Sequence, residues 1–372
     1  MTATTQTKNM AAWLTSPKSR PFTVAEAPMP VPDPRRGPRP RPRRRPQPRR
    51  LVHPERGHHR PRRGGYPAVI GCDLAGEVVS VGANVANTEG SFAPGDRVCG
   101  LAGGHEAGDY KSGAFQLYAK ADKGLLAKIP DEVSYAQAAV LPLGMSTAAT
   151  ALFQKDAMAL PLPGTGNDAT TLDKNGQKKV ILVWGGRSSV GSCGIQLAVA
   201  AGFDVATTAS ARNREYCEGI GAKWVLDYHG EKIEDEIVEA LAGRECVGVF
   251  DAWSRGSIAQ CARVVLRLDE NGGVGGGRKV VQTVLPGPEQ ITEELPEGVE
   301  IGYTYGTTLV RNEVGPAVWG KWVPEALATG ALQCKPDPEV VAKGLEGIQT
   351  ACDIGSKGWG TNSSPKLVVE LD

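Results

Sequence analysis

The sequence predicts an α/β fold, in which a parallel sheet with crossover helices is joined to a region of short strands. Three observations predict it. Residues 178–210 read as strand, glycine turn, helix and strand. Residues 178–285 go on alternating strand and helix patterns, as a parallel sheet requires. Residues 66–120 are instead rich in Gly, Val and turn signals such as Pro94-Gly95-Asp96, the pattern of short strands.

Taken in order, residues 11–34 resemble the start of a strand-rich domain, and ordered strands resume at Tyr66. Residues 161–177 are expected to form a surface loop. The run Val180, Ile181, Leu182, Val183, Trp184 is apolar throughout, as suits a strand buried on both faces of a parallel sheet. Gly185, Gly186 and Gly191 follow, and then a helix whose N-terminus points at that turn. Free N–H groups and the helix dipole make such a place an anion site, with a dinucleotide pyrophosphate as its natural occupant. The spacing is GGxSxVG rather than GxGxxG, so a ligand-free βα turn is the competing reading. Further strands are expected within 223–228, 247–253 and 279–285, and the glycine-rich stretch 271–277 is expected to be a loop rather than a phosphate cradle.

The second strand of this unit runs to Ser210, followed by Ala211, Arg212 and Asn213. An NAD site usually places an acidic residue here, on the ribose 2′-hydroxyl. No Asp or Glu occurs between Asp204 and Glu215. A hydroxyl, a guanidinium and an amide suit a 2′-phosphate, with Arg212 as the charge partner, which favours NADPH over NADH. The alternative for Arg212 is a solvated residue at a helix start.

At 372 residues with 41% hydrophobic content, the chain is long enough for two domains. No long apolar run suggests a membrane span, and the N-terminus lacks the apolar core of a signal peptide. Eight cysteines without a CxxC pair fit reduced thiols in a cytosolic protein. The net charge of +1 hides an asymmetry. Residues 35–63 hold 13 of the 42 Lys and Arg and one acid, Glu55, leaving 29 basic against 40 acidic residues elsewhere. The bulk of the chain is therefore a poor nucleic-acid binder.

At face value the Arg/Pro run 35–63 is a basic arm, but it has no aromatic residue for base stacking. A shifted reading frame explains it better. In GC-rich coding DNA, moving the frame by one base turns Arg codons into those for Val, Ala, Asp, Gly or Glu, and Pro codons into those for Leu, Pro, His, Arg or Gln. Residues 35–51 can then encode DEVLVRVRAVALNPVDW, which alternates like a half-buried strand and ends in a turn.

The stretches 66–82 (YPAVIGCDLAGEVVSVG), 92–98 (FAPGDRV), 113–119 (GAFQLYA), 129–153, 183–191 (VWGGRSSVG), 210–213 (SARN), 221–228 (GAKWVLDY) and 363–371 (SSPKLVVEL) carry a resemblance. With them the chain resembles the zinc-independent medium-chain dehydrogenase/reductase superfamily, and within it the fungal trans-acting enoyl reductases of polyketide and toxin clusters. The resemblance implies a GroES-like partial β-barrel domain over 1–155, a Rossmann dinucleotide-binding domain over 156–319 and a C-terminal return over 320–372. It places Ser188, Ser189, Val190 and Gly191 at the cofactor phosphates, and Ser210, Arg212, Asn213 and Tyr228 around the adenosine phosphate. Val284, Leu285, Ser363 and Ser364 would lie near the nicotinamide. Thr147, in the helix between the domains, would touch cofactor or substrate. Capping or packing is the alternative for Thr147 and the two serines, and a strand-end aromatic for Tyr228. The family's Asn-Pro-x-Asp turn reads Gln47, Pro48, Arg49, Arg50 here, so only Pro48 matches and that half of the site departs from the pattern.

Zinc-dependent relatives carry a GHE-type motif where this chain has Gly71, Cys72, Asp73, and His105-Glu106 lies about thirty residues too late for it. Cys72 and Asp73 can in principle ligate metal, but a buried thiol and a strand-end carboxylate are the plainer reading. No metal is expected. Without zinc a carbonyl is harder to polarise, whereas an activated C=C bond needs less help. The leading expectation is an NADPH-dependent enoyl reductase on polyketide thioesters, a cytoplasmic monomer or homodimer partnered by a polyketide synthase, with no membrane or nucleic acid involved. The alternatives are a quinone reductase-like oxidoreductase and an inactive cofactor-binding or interaction protein.

Overall fold

The computed structural model describes residues 8–32, 65–83, 91–103, 112–254, 256–270, 272–273, 278–284, 291, 294–358 and 365–371. The Arg/Pro run and Pro48, His105, Glu106, Leu285, Ser363 and Ser364 lie outside these residues, as does most of the glycine-rich stretch 271–277. The chain divides into two compact units, one of 1–142, 338–361 and 367–372, the other of 143–337 and 362–366. The division falls at 142/143 and 337/338, not at the expected 155/156 and 319/320. Packing accounts for the first shift. A Cβ on Gly144 would stand 2.9 Å from the Ser189 carbonyl oxygen and 3.2 Å from Cys193 Sγ, so the helix that begins at Pro142 lies against the second unit's own helix.

The first unit opens with β1 (Asn9–Leu14) and β2 (Thr23–Ala27), antiparallel, with β3 (Ala68–Val69) on the other edge of β1. A second antiparallel sheet joins β4 (Asp73–Glu77), β5 (Arg97–Ala102) and β6 (Ala121–Lys128) in that order. The Pro94-Gly95-Asp96 signal does turn the chain before β5: Gly95 has φ +89°, and the Asp96 carboxylate accepts the Ala93 N–H at 2.7 Å. A short helix α1 (Tyr135–Ala138) starts at a capping box between Ser134 and Gln137.

The second unit begins at Leu143, one residue into α2 (Pro142–Phe153), which is followed by a one-turn helix, α3 (Asp168–Thr171), inside the stretch expected to be plain loop. Asn167 starts that turn, its side-chain oxygen accepting the Thr170 N–H at 3.2 Å. The sheet and its helices then run β7 (Val180–Trp184), α4 (Ser189–Ala200), β8 (Asp204–Thr208), α5 (Arg214–Gly219), β9 (Trp224–Leu226), α6 (Ile233–Ala240), β10 (Cys246–Asp251), α7 (Ile258–Glu270), β11 (Val280–Thr283) and β12 (Glu300–Tyr303). All neighbours pair in parallel, in the order β12-β11-β10-β7-β8-β9. This is the Rossmann order, whose direction of winding reverses between β7 and β10. The strand β8 ends at Thr208, two residues before Ser210, because Ser210 already opens a 3-10 turn over Ala211–Asn213. Every residue of β7 is buried, as its apolar run requires. Against one face of the sheet pack Ile233, Ile237 and Leu241, and Cys261, Val264, Val265 and Leu268. At roughly 1.5–3 kcal/mol for each large buried side chain, this cluster is a main source of the unit's stability. The strand β12 is absent from the sequence expectation, because its four residues carry no long apolar run.

The helix α8 (Val323–Thr329) ends at Gly330 with φ +75°. The chain then returns to the first unit as β13 (Pro338–Lys343), α9 (Gly347–Gly358) and β14 (Lys366–Glu370), the two strands forming one sheet. Leu345 and Ile348 join Ala12, Leu14, Phe22, Ala68 and Ile70 in that unit's core. The span 135–153 is long and apolar enough to cross a membrane by composition, a feature not expected from the sequence. However, 78% of its most apolar window is buried inside the protein, as in a core helix.

Candidate functional site

The turn after β7 is built around atoms that leave no room for side chains. Gly185 adopts φ +83°, and its N–H donates to Thr208 Oγ1 at 3.0 Å while the Gly186 N–H donates to the Thr208 carbonyl at 3.0 Å. A Cβ on Gly186 would collide with the Thr207 hydroxyl. A Cβ on Gly191 would collide with the Gly185 carbonyl oxygen and stand 2.9 Å from Gly186 Cα. These glycines let the first turn of α4 sit directly on the loop, which is the close approach a phosphate cradle needs.

Ser188 caps α4. Its hydroxyl oxygen accepts the Gly191 N–H at 2.9 Å, and its carbonyl accepts the Ser192 N–H at 2.8 Å. In a helix begun this way the N–H groups of Ser189 and Val190 have no intrahelical acceptor. They and the dipole of a 12-residue helix suit an anion at this turn. Ser189 Oγ is buried with no hydrogen-bond partner and faces α2, 3.0 Å from where a Cβ on Gly144 would stand. Ser188, Ser189, Val190 and Gly191 are thus brought together at one helix start, with Ser188 acting through its cap.

At the end of β8, Ser210 and Asn213 are both buried, and the Asn213 amide donates to the Ser210 hydroxyl at 2.7 Å. They brace the turn from inside, whereas Arg212 between them is exposed. Sequence reading misses the acid behind this turn. Asp227, just past β9, accepts the Ala211 N–H at 3.1 Å and both the N–H and the ring Nδ1 of His229, at 3.0 and 2.8 Å. Those hydrogen bonds, led by the His229 N–H, hold its carboxyl below the ordinary range. Tyr228 stacks on His229 at 4.2 Å between centroids and packs against the cluster beneath α6 and α7. Its ring therefore belongs to that apolar face.

Across the reversal of the sheet, Asp251 at the end of β10 is fully buried. It accepts bonds from the Ser257 hydroxyl (2.7 Å), the Ser254 N–H (2.9 Å), the Thr283 hydroxyl (3.0 Å) and the Trp253 N–H (3.2 Å). Burial pushes its carboxyl up, and these four donors pull it back down in part. Asp251 thereby fixes the loop whose Trp253 Cβ stands 3.3 Å from where a Cβ on Gly185 would be. The Val284 N–H donates to the Asp251 carbonyl at 3.2 Å, which holds Val284 at the same end of the sheet. Thr147, 8% exposed, donates its hydroxyl to the Leu143 carbonyl at 2.7 Å and lies against Gly306. Its hydroxyl is thus engaged within its own helix.

The eight cysteines are thiols. Burial pushes Cys217 up to about 12 and Cys246 and Cys334 up to about 11. Cys72 and Asp73 sit where β4 begins, and among the described residues no group of three His, Cys, Asp or Glu side chains can hold a metal ion. The pair therefore lacks a third described ligand, and the described residues do not fit a zinc site. A dinucleotide fits better: a glycine cradle closed to any Cβ, a capped helix start and an exposed guanidinium on the neighbouring turn.

Comparison with known proteins agrees with this architecture. Residues 51–131 match the alcohol dehydrogenase GroES-like domain, which leaves residues 35–50 of the Arg/Pro run outside the match. The chain is 35% identical over 366 residues to the zinc-binding alcohol dehydrogenase domain-containing protein cipB of Emericella nidulans, covering 98% of each. It is 36% identical to trans-enoyl reductase himH of Aspergillus japonicus, covering 82% of each. Among solved structures, an alcohol dehydrogenase superfamily protein from Novosphingobium aromaticivorans shares the fold at TM-score 0.63 and 24% identity, covering 97% of each chain. Given this full-length kinship, the Rossmann strand order and the GroES-like match, the chain belongs to the medium-chain dehydrogenase/reductase superfamily of nicotinamide-dependent oxidoreductases.

Proposed function

We propose that this protein is an NADPH-dependent, zinc-independent enoyl reductase that acts in trans on polyketide thioesters. The observation that carries the reading is the pairing of the α4 N-terminus with exposed Arg212 on the adjoining turn. The first is suited to a pyrophosphate and the second to a 2′-phosphate. The relationship to himH, described as a trans-enoyl reductase, supports the reaction class. Asp227 weighs toward an unphosphorylated ribose, but its carboxylate is already engaged by Ala211 and His229.

The bound dinucleotide supplies hydride to the β-carbon of the enoyl group. The N–H groups of Ser189 and Val190 hold its pyrophosphate, and Arg212 its 2′-phosphate. Asp251 keeps the loop over Gly185 and the start of Val284 in place, so the site is set before ligand arrives. Pro48, Leu285, Ser363, Ser364 and Thr147 remain part of this reading as nicotinamide-side or substrate contacts. The partner is a polyketide synthase without an enoyl reductase of its own, and the reaction is placed in the cytosol.

The test is consumption of NADPH by the full chain with a crotonyl thioester or with a quinone. Turnover of the thioester with NADPH well above NADH supports the reading. Turnover of the quinone alone, or no NADPH binding in a direct titration, overturns it.

A further inference from the structure

Arg187, the third residue of the glycine turn, has no role in the reading above. Its guanidinium carbon stands 4.2 Å from the centroid of the Tyr216 ring. Tyr216 lies on α5, in the chain that follows β8, four residues after Arg212 in the preceding turn. The stacking thus carries a positive charge from the loop after β7 across to the loop after β8. In a doubly wound sheet that is where the adenosine ribose rests.

The Tyr216 ring is a fixed platform. Its hydroxyl shares a 2.8 Å hydrogen bond with Ser192 Oγ of α4, and Ser192 also donates to the Gly186 carbonyl at 3.1 Å. Lys335 approaches the same ring at 5.7 Å, but its ammonium is paired with Asp337 at 2.7 Å. Arg214 is paired with Glu218 at 3.8 Å. Arg187 differs: among the described residues no carboxylate is within ion-pair distance of it. A half-buried guanidinium resting on an aromatic ring, with no counter-ion among the described residues, has N–H donors to offer an oxyanion.

We propose that Arg187, stacked on Tyr216, is a second guanidinium for the 2′-phosphate, so that Arg187 and Arg212 grip it from two different loops and set the preference for the phosphorylated dinucleotide. The proposal rests on the NADPH reading, and adds that the glycine turn contributes to specificity as well as holding the pyrophosphate. A residue acting only as glue between the two loops would affect every adenine ligand alike.

The test is calorimetric titration of the full chain, wild type and Arg187→Gln, with 2′,5′-ADP and with 5′-AMP. Arg187→Gln is expected to weaken 2′,5′-ADP by about tenfold or more while 5′-AMP changes by less than about twofold. Arg187→Lys keeps the charge without the planar fork and is expected to fall between. Equal losses on both ligands, or no loss on either, overturn the proposal even where the wild type prefers 2′,5′-ADP. A wild type that binds the two ligands equally well overturns the NADPH reading itself, and the role of Arg187 with it. Thermal melting of each variant separates a lost contact from a lost fold.

Discussion

The Thr283 hydroxyl donates to the Asp251 carboxylate at 3.0 Å, joining the C-terminal ends of two adjacent parallel strands, β11 and β10. Both residues are fully buried, and the same carboxylate also receives Ser257, Ser254 and Trp253. Asp251→Ala strips an acceptor from four donors at once and is expected to destabilise the second unit by about 3 kcal/mol or more. Thr283→Val removes one donor and is expected to cost about 1 kcal/mol. Because the two share a contact, Thr283→Val should cost less in the Asp251→Ala background than alone. Urea unfolding of the four proteins checks this, and strict additivity would count against the network.

The start of α4 gives a paired prediction. Ser188→Ala removes the hydroxyl that accepts the Gly191 N–H and is expected to cost about 1 kcal/mol. Gly191→Ala forces a methyl group into the Gly185 carbonyl and is expected to cost about 2 kcal/mol. Only the second also displaces the loop backbone, so it should abolish dinucleotide binding at temperatures where the protein is still folded. Binding titrations below the melting temperature distinguish the two.

Asp227 makes stability depend on pH. Its folded-state pKa lies below the ordinary Asp value of 3.8, so the stabilisation is present above that value and is lost as pH falls through the folded pKa. The stability advantage of wild type over Asp227→Asn is therefore expected to hold at neutral pH and to close as pH drops below about 4. Its half-buried, partly solvated carboxylate keeps the effect small. Denaturant melts across pH 2–7, about one unit apart, follow the gap; a gap that widens on acidification refutes the assignment.

Codons 35–63 make a genetic prediction. Genomic and transcript reads across this stretch are expected to show compensating insertions or deletions that restore a strand ending in an Asn-Pro-x-Asp-like turn near Pro48. An uninterrupted frame encoding the Arg/Pro run removes the idea.

Much of the Rossmann unit was legible because burial on both faces leaves a plain mark. Val180–Trp184 is apolar at every position, and the strand lies on those residues. The glycines of the turn were equally readable, since only they tolerate such close backbone approach. The charged parts were not. Asp227 reaches Ala211 across sixteen residues of sequence, so nothing local to Ser210–Asn213 signals it. Asn213 reads from the sequence as a ligand contact, yet its amide is turned inward to Ser210. Asp251 reads as an ordinary strand-end acid until four donors converge on it. Side-chain direction and partners of distant origin decide these roles, and periodicity carries neither.

Thr208 holds both glycines of the first loop, while Ser192 touches both that loop and the ring of the second. The two loops are consequently one hydrogen-bonded unit. Transplanting the segment after β8 from a relative of opposite cofactor preference would exchange Tyr216 but leave behind Arg187, Ser192 and the strand end that registers them. A transplant that keeps these hydrogen bonds has to carry residues 185–192 and 208–216 together.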